Sequence, residues 1–159
     1  MAVEDVRRWL ERHAPDLTII EAETSTASVA EAAATLGVEP ARIAKTLAIR
    51  LKEEVVLLVT RGDARLDNVK TKATFGTRPR MLDAAETLAL TGHAVGGVCP
   101  FGLATELPVC CDRSLEDFAT VFPAAGSLNS AVEISPARLV ALTGARWVDI
   151  CRLPESEEA

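Results

Sequence analysis

The chain has 159 residues, 48% of them hydrophobic, and a formal net charge of −6. That length suits one domain, and a chain of this size buries roughly 68–70% of the surface its unfolded form exposes, so a core can form without metal or disulfide. The acidic balance counts against a uniformly basic nucleic-acid binder, and the longest strongly apolar run, residues 55–59, is far short of the roughly 20 that a membrane-spanning helix needs. The acidic, then amphipathic, N-terminal segment is unlike a secretory leader, so the expected compartment is the cytoplasm.

In chain order, residues 3–13 read as a helix with Val6 and Leu10 on one side. Residues 17–20 suit a short strand. Ser25 or Thr26 is placed to cap a second helix that stops at Gly37, and a turn follows at 39–42. Residues 43–51 and 54–60 read as paired strands across the charged turn Lys52-Glu53, the second apolar enough to be buried on both faces. Residues 65–74 and 83–90 read as helices, the latter ended by Gly92. A loop at 95–102 holds three glycines and Pro100. Strands are expected at 107–111, 119–122 and 131–134. A last helix opens with Pro136 at its first position and ends at Gly144, and a strand at 146–150 closes the sheet. Residues 1–153 form the expected domain, and 154–159 an acidic tail expected to be disordered. Helices and strands do not alternate regularly, which predicts an α+β (mixed α/β) domain with a mixed, largely antiparallel sheet and surrounding helices. No glycine-rich dinucleotide fingerprint or P-loop is present.

Lys45 is the first residue with candidate chemistry. Strand alternation aligns it with Ile43, Leu47 and Ile49, and an ammonium among large apolar side chains needs an anionic partner or an opening to solvent. The second candidate is Gly96-Gly97-Val98-Cys99-Pro100-Phe101-Gly102, whose main-chain N–H groups could surround an oxyanion. The third is Gly126-Ser127-Leu128-Asn129-Ser130, which sets small polar groups on a pliable backbone. Each of the three alone also suits an ordinary strand end or turn. Cys99, Cys110, Cys111 and Cys151 lack C-x-x-C spacing, so buried free thiols are expected and no metal site. His93 lacks a matched triad and reads as structural. Between Arg42 and Arg80 ten basic residues face four acidic ones, a local bias able to attract phosphates.

These segments occur together and in order. Helix 26–37 followed by Arg42-Ile43-Ala44-Lys45-Thr46-Leu47, then Gly62-Asp63-Ala64-Arg65-Leu66-Asp67 with Lys70, the stretch from Thr91 to Gly102, and Gly126 through Pro136, resemble the YbaK/ProX family of aminoacyl-tRNA editing domains. That family is related to the insertion domain of bacterial prolyl-tRNA synthetase. The resemblance covers roughly residues 20–145. It implies the editing-domain fold and hydrolysis of mischarged tRNA, in trans, with no cofactor. Lys45, matching the family lysine, would position the tRNA end, and the backbone at Gly96–Pro100, matching a G-x-x-x-P loop, would hold the ester carbonyl and terminal ribose. The expected site has Lys45, Gly96 and Gly97 as catalytic residues and Thr46, Val98, Pro100, Gly126, Ser127, Asn129 and Ser130 as substrate-binding residues. The expected partners are the aminoacyl-tRNA acceptor end and prolyl-tRNA synthetase or another synthetase, with no membrane. The founding subgroup's aspartate position holds Ala131, which turns the expected amino acid from cysteine toward alanine, serine or threonine. A non-catalytic tRNA- or synthetase-binding module and a Cys99-dependent hydrolase are the competing readings.

Overall fold

The computed structural model describes residues 2–154. The expected acidic tail, beyond Pro154, lies outside the described residues. The first helix, α1 (Ala2–His13), carries Glu4 and Asp5 in its first turn and Arg12 and His13 in its last, an order that suits the helix dipole. It buries Val6 and Leu10 against the main core, and burying a Val or Leu side chain contributes about 1.5–3 kcal/mol.

The central sheet is built on a hairpin, β2 (Ile43–Leu51) and β3 (Glu54–Arg61), turned by Lys52 in the left-handed conformation. From the hairpin the sheet runs β5-β2-β3-β6-β9, with β5 (Arg80–Met81) antiparallel to β2, and with β6 (Val109–Asp112) and β9 (Arg146–Val148) parallel. The short strand β7 (Phe122–Pro123) lies parallel to the start of β2. Pro123 is tolerated there because β7 is an edge strand. Two small antiparallel ladders flank the sheet: β1 (Ile19–Glu21) with β8 (Ser130–Val132), and β4 (Arg65–Leu66) with β10 (Cys151–Arg152). The fold is therefore the mixed α/β type expected, antiparallel around the hairpin and parallel toward β9. Strand β3 is buried on both faces over Val56–Thr60, as its apolar run suggested. One face packs Leu57 and Val59 into the main core with Phe101 and Leu139. The other packs Val56 and Leu58 with Ile49, Ile150 and Cys151.

Four more helices close the molecule: α2 (Val29–Leu36), α3 (Asn68–Phe75), α4 (Ala84–Thr91) and α5 (Pro136–Thr143). Each has a side-chain N-cap and a left-handed glycine after its last turn. Several boundaries differ from expectation, the strands expected at 107–111, 119–122 and 131–134 among them, and three of the differences have a local cause. The cap of α2 is Ser28, because Ser25 accepts from Ala27 N–H and Thr26 donates toward Ser130 C=O. Residues 65–66 form β4 rather than a helical turn, since Asp67 caps α3 through Lys70 N–H. The last strand splits into β9 and β10, with Asp112 Oδ1 accepting from Ile150 N–H at the break.

Candidate functional site

The sheet leaves a gap along its β5/β7 edge. The outer edge of β2 is paired with β7 at Ile43 and Ala44 and with β5 at Ile49 and Arg50, leaving residues 45–48 between the two partners. Leu82 N–H donates to Ala48 C=O on that side, so alternation along an antiparallel strand turns the main-chain N–H and C=O of Thr46 toward the gap as well. A cavity of about 360 Å³ occupies it, walled by Lys45 to Ala48 of β2, by residues 26–29 and Ala32 at α2, by Met81, Leu82 and Thr87 near α4, and by Gly96 and Val98. This is the size of pocket that takes a small organic ligand.

Lys45 is half-buried at this wall, and its Nζ donates to Ala64 C=O at 2.6 Å. Burial lowers its pKa, opposed by the nearby Asp63 carboxylate. Asp63 is itself gripped by Arg61 through two short hydrogen bonds, 2.6 and 2.9 Å, which hold its carboxyl below the usual range. One of the three ammonium protons is committed to Ala64.

Gly96 has φ of +97°, and a Cβ there would lie 2.7 Å from Leu128 Cδ2 and 3.1 Å from Ala27 Cβ. At Gly97 a Cβ would lie 2.9 Å from both the carbonyl carbon of Gly126 and the nitrogen of Ser127. The two glycines thus allow the 93–102 loop to lie against the segment that leads into α2, at Ala27, and against the 126–130 loop. Gly97 C=O accepts from Gly126 N–H at 3.0 Å, and Gly97 N–H donates to Ala94 C=O at 2.9 Å. Among the described residues the N–H groups of Gly96 and Val98 have no acceptor.

The expected residues divide into two sets. Lys45, Thr46, Gly96, Val98 and Ser130 meet at the cavity. Gly97, Pro100, Gly126, Ser127 and Asn129 are not among the residues that line it. The amides of Gly97 and Gly126 are spent joining or bracing the loops. Ser127 Oγ lies 2.6 Å from Ser130 Oγ, and Asn129 Nδ2 donates to Ala22 C=O. Sequence reasoning missed the α2 and β5 sides of the wall, including Thr26, Leu82 and Thr87. The hydroxyls of Thr26, Thr87 and Ser130 are all partnered. The Thr46 hydroxyl is buried and has no partner among the described residues. Such a group is costly unless a ligand or a rotation satisfies it.

His93 and Cys99 lie behind the loop. His93 Nε2 is 2.8 Å from Phe101 C=O, which makes Nε2 the protonated nitrogen, and Nδ1 is bare and buried. Cys99 is wholly buried, bonded to Phe101 C=O, and burial pushes its thiol up to about 12. A thiol so protonated and so enclosed is no nucleophile. Among the described residues no group of three or more His, Cys, Asp or Glu is placed to hold a metal, and no helix is long and apolar enough to cross a membrane.

The model of the aminoacyl-tRNA editing domain matches residues 23–142. The chain belongs to this family. The editing domain is 46% identical over 154 residues to the uncharacterized protein YwhH of Bacillus subtilis strain 168, covering 96% of this chain and 98% of that one. It is 30% identical over 116 residues to the proline–tRNA ligase of Bacillus licheniformis, a match spanning 72% of this chain but only 19% of the ligase. Among solved structures, one described as a candidate trans-editing enzyme for prolyl tRNA synthetase superposes with a TM-score of 0.87 at 32% identity, over 95% of this chain and 97% of the other. The hypothetical protein APE2540 superposes with a TM-score of 0.85 at 34% identity, over 93% and 99%. The editing-domain match takes in the whole cavity wall, from Thr26 to Ala131.

Proposed function

We propose that this editing domain is a free-standing deacylase that hydrolyses the ester between a small amino acid and a tRNA related to tRNA(Pro). The observation that supports this is the meeting of Lys45, the open edge of β2 at Thr46, and Gly96 and Val98, residues whose N–H groups have no acceptor among the described residues, in the lining of one cavity of about 360 Å³. An aminoacyl ester is already activated, so positioning and charge stabilisation suffice. Lys45 would hold the terminal nucleotide through its phosphate, and the Gly96 and Val98 amides would receive the ester oxygen as negative charge develops. Water would be the nucleophile, since Cys99 is enclosed and His93 is turned to Phe101. Gly97, Pro100 and Gly126 would act by shaping the loop.

The amino acid would be small. Ala32, Ala44, Ala48, Ala124 and Ala131 line the cavity. Ala131 leaves no carboxylate at the position that distinguishes the founding subgroup, which supports alanine, serine or threonine over cysteine. Relation to proline–tRNA ligases points to prolyl-tRNA synthetase as the source of the mischarged product.

The test is a deacylation screen of tRNA(Pro), tRNA(Ala) and tRNA(Thr) charged with alanine, serine, threonine, cysteine and proline. Hydrolysis of at least one small-residue ester, with Pro-tRNA(Pro) spared, is the expected result. No hydrolysis anywhere in the panel, with tRNA still bound, would make the domain a binding module.

A further inference from the structure

Antiparallel partners that sit directly opposite share a face, and like charges in such pairs oppose each other. Among the described residues two such pairs occur, Arg50 with Arg80 and Arg65 with Arg152. The first has a counter-ion, with Arg50 Nη2 bonded to Glu86 at 2.8 Å. The second has none among the described residues. Asp63, which lines the same hollow, has both carboxylate oxygens on Arg61. Arg65 and Arg152 are exposed and, with Asp63, Leu153 and Pro154, line a second hollow of about 240 Å³.

This hollow adjoins the first site. Ala64, whose carbonyl receives the Lys45 ammonium, immediately precedes Arg65, and Lys45 feels the charge of Arg65. The ladder that carries the arginines is held in place. Cys151 and Leu66 face inward, Lys70 Nζ donates to Cys151 C=O at 2.9 Å, and Asp67 N–H donates to Ile150 C=O at 2.8 Å. Part of the remaining basic segment is neutralised: Arg42 meets Glu133, Arg61 meets Asp63 and Asp117, and Lys70 meets Asp149, while Lys52, Lys72, Arg78 and Arg80 have no ion pair among the described residues and do not line this hollow.

We infer that Arg65 and Arg152 form a seat for a backbone phosphate of the RNA strand whose 3′ end enters the cavity past Lys45. Resting on the deacylase assignment above, it gives the strand a direction, from the cavity across Lys45 to the β4–β10 ladder. The guanidinium forks suit phosphate oxygens, and a bound phosphate relieves the opposition of the two cations. Arg65 and Arg152 are positioning residues and take no part in ester cleavage.

The experiment measures binding of uncharged tRNA(Pro) transcript to the full chain across a potassium chloride series, and deacylation of two substrates, aminoacyl-tRNA and the same aminoacyl ester of adenosine alone. For R65A/R152A, affinity at 0.1 M salt should fall at least tenfold, and the logarithmic salt slope should drop by about 0.7 for each phosphate no longer neutralised. KM for aminoacyl-tRNA should rise with kcat kept, and hydrolysis of the adenosine ester should match wild type. R152E, which pairs with Arg65 and so keeps the ladder, should bind still more weakly while melting no lower than wild type. K52A, at the far turn of the hairpin, should change affinity less than twofold. Unchanged binding and slope in the arginine variants, an equal loss in K52A, or an equal loss on the adenosine ester would each overturn the seat. If the wild type binds tRNA through these arginines yet hydrolyses no ester, the seat stands and the deacylase assignment falls. If it hydrolyses esters with binding indifferent to the arginines, the reverse holds.

Discussion

Thr46 has a buried hydroxyl without a partner while its main chain edges the cavity. Leaving a buried hydroxyl unsatisfied costs about 1–3 kcal/mol. Thr46→Val, of nearly the same shape, should therefore raise stability by about 1 kcal/mol in urea denaturation and lower deacylation kcat/KM, a trade expected where a polar group is kept for a ligand. A loss of both stability and activity would mean the hydroxyl is satisfied within the fold. His93 supplies a second prediction. Burial lowers its pKa below the ordinary value of about 6.5, partly offset by the Phe101 carbonyl and then Asp5. The unfolded chain then binds the proton more readily, so stability is full above about pH 6.5 and declines as pH falls below it. His93→Gln keeps an amide N–H for Phe101 C=O and removes the titration, so its melting temperature should vary less between pH 7.5 and 5.5 than that of wild type. Both residues show what the sequence carried and what it withheld. Lys45 stood out because alternation put a cation among apolar neighbours. Thr46 entered the expected site only through the family resemblance, since only the three-dimensional surroundings reveal that no partner among the described residues reaches its hydroxyl.

At the level of elements, the loops at 93–102 and 126–130 act as a braced pair, joined where Gly126 N–H donates to Gly97 C=O. Gly97→Ala would drive a methyl into the main chain of Gly126 and Ser127, which cannot swing aside, and should cost about 1–3 kcal/mol in chemical denaturation. Gly96→Ala meets the exposed tip of Leu128, which can move, so its cost comes mainly from holding alanine at positive φ and should be about 1–2 kcal/mol. Both should raise KM by misplacing the wall; wild-type kinetics with lowered stability would leave the glycines purely structural. The long hairpin, the five helices and the glycine stops at Gly37, Gly92 and Gly144 were legible because periodicity and capping chemistry extend over many residues. The two-residue strands β4, β5 and β10 were not, because a segment so short has no period and is fixed by its partners. Those strands matter here: β5 bounds the cavity, and β4 with β10 carries Arg65 and Arg152.

For the whole molecule, a net charge of −6 argues against nucleic-acid binding only on average. The basic segment is real in sequence, but ion pairs to Glu86, Asp117, Glu133 and Asp149 quiet part of it. Among the described residues Lys45, Lys52, Arg65, Lys72, Arg78 and Arg80 of that segment have no ion pair; of these, Lys45 lines the cavity and Arg65 faces Arg152 on the adjoining ladder. Association with tRNA should accordingly weaken steeply with salt, whereas melting temperature should change little between 0.05 and 0.3 M potassium chloride, because the core is apolar and exposed ion pairs contribute little. A fall in melting temperature parallel to the fall in affinity would place the salt-sensitive interactions inside the fold instead. The central claim is that one cation at the wall of one cavity positions the ester for water. Single-turnover deacylation by Lys45→Ala, on the small-residue ester the wild type cleaves fastest, tests it most directly. A rate about 100-fold or more below wild type is expected, with the melting temperature preserved. A rate within twofold of wild type would contradict it.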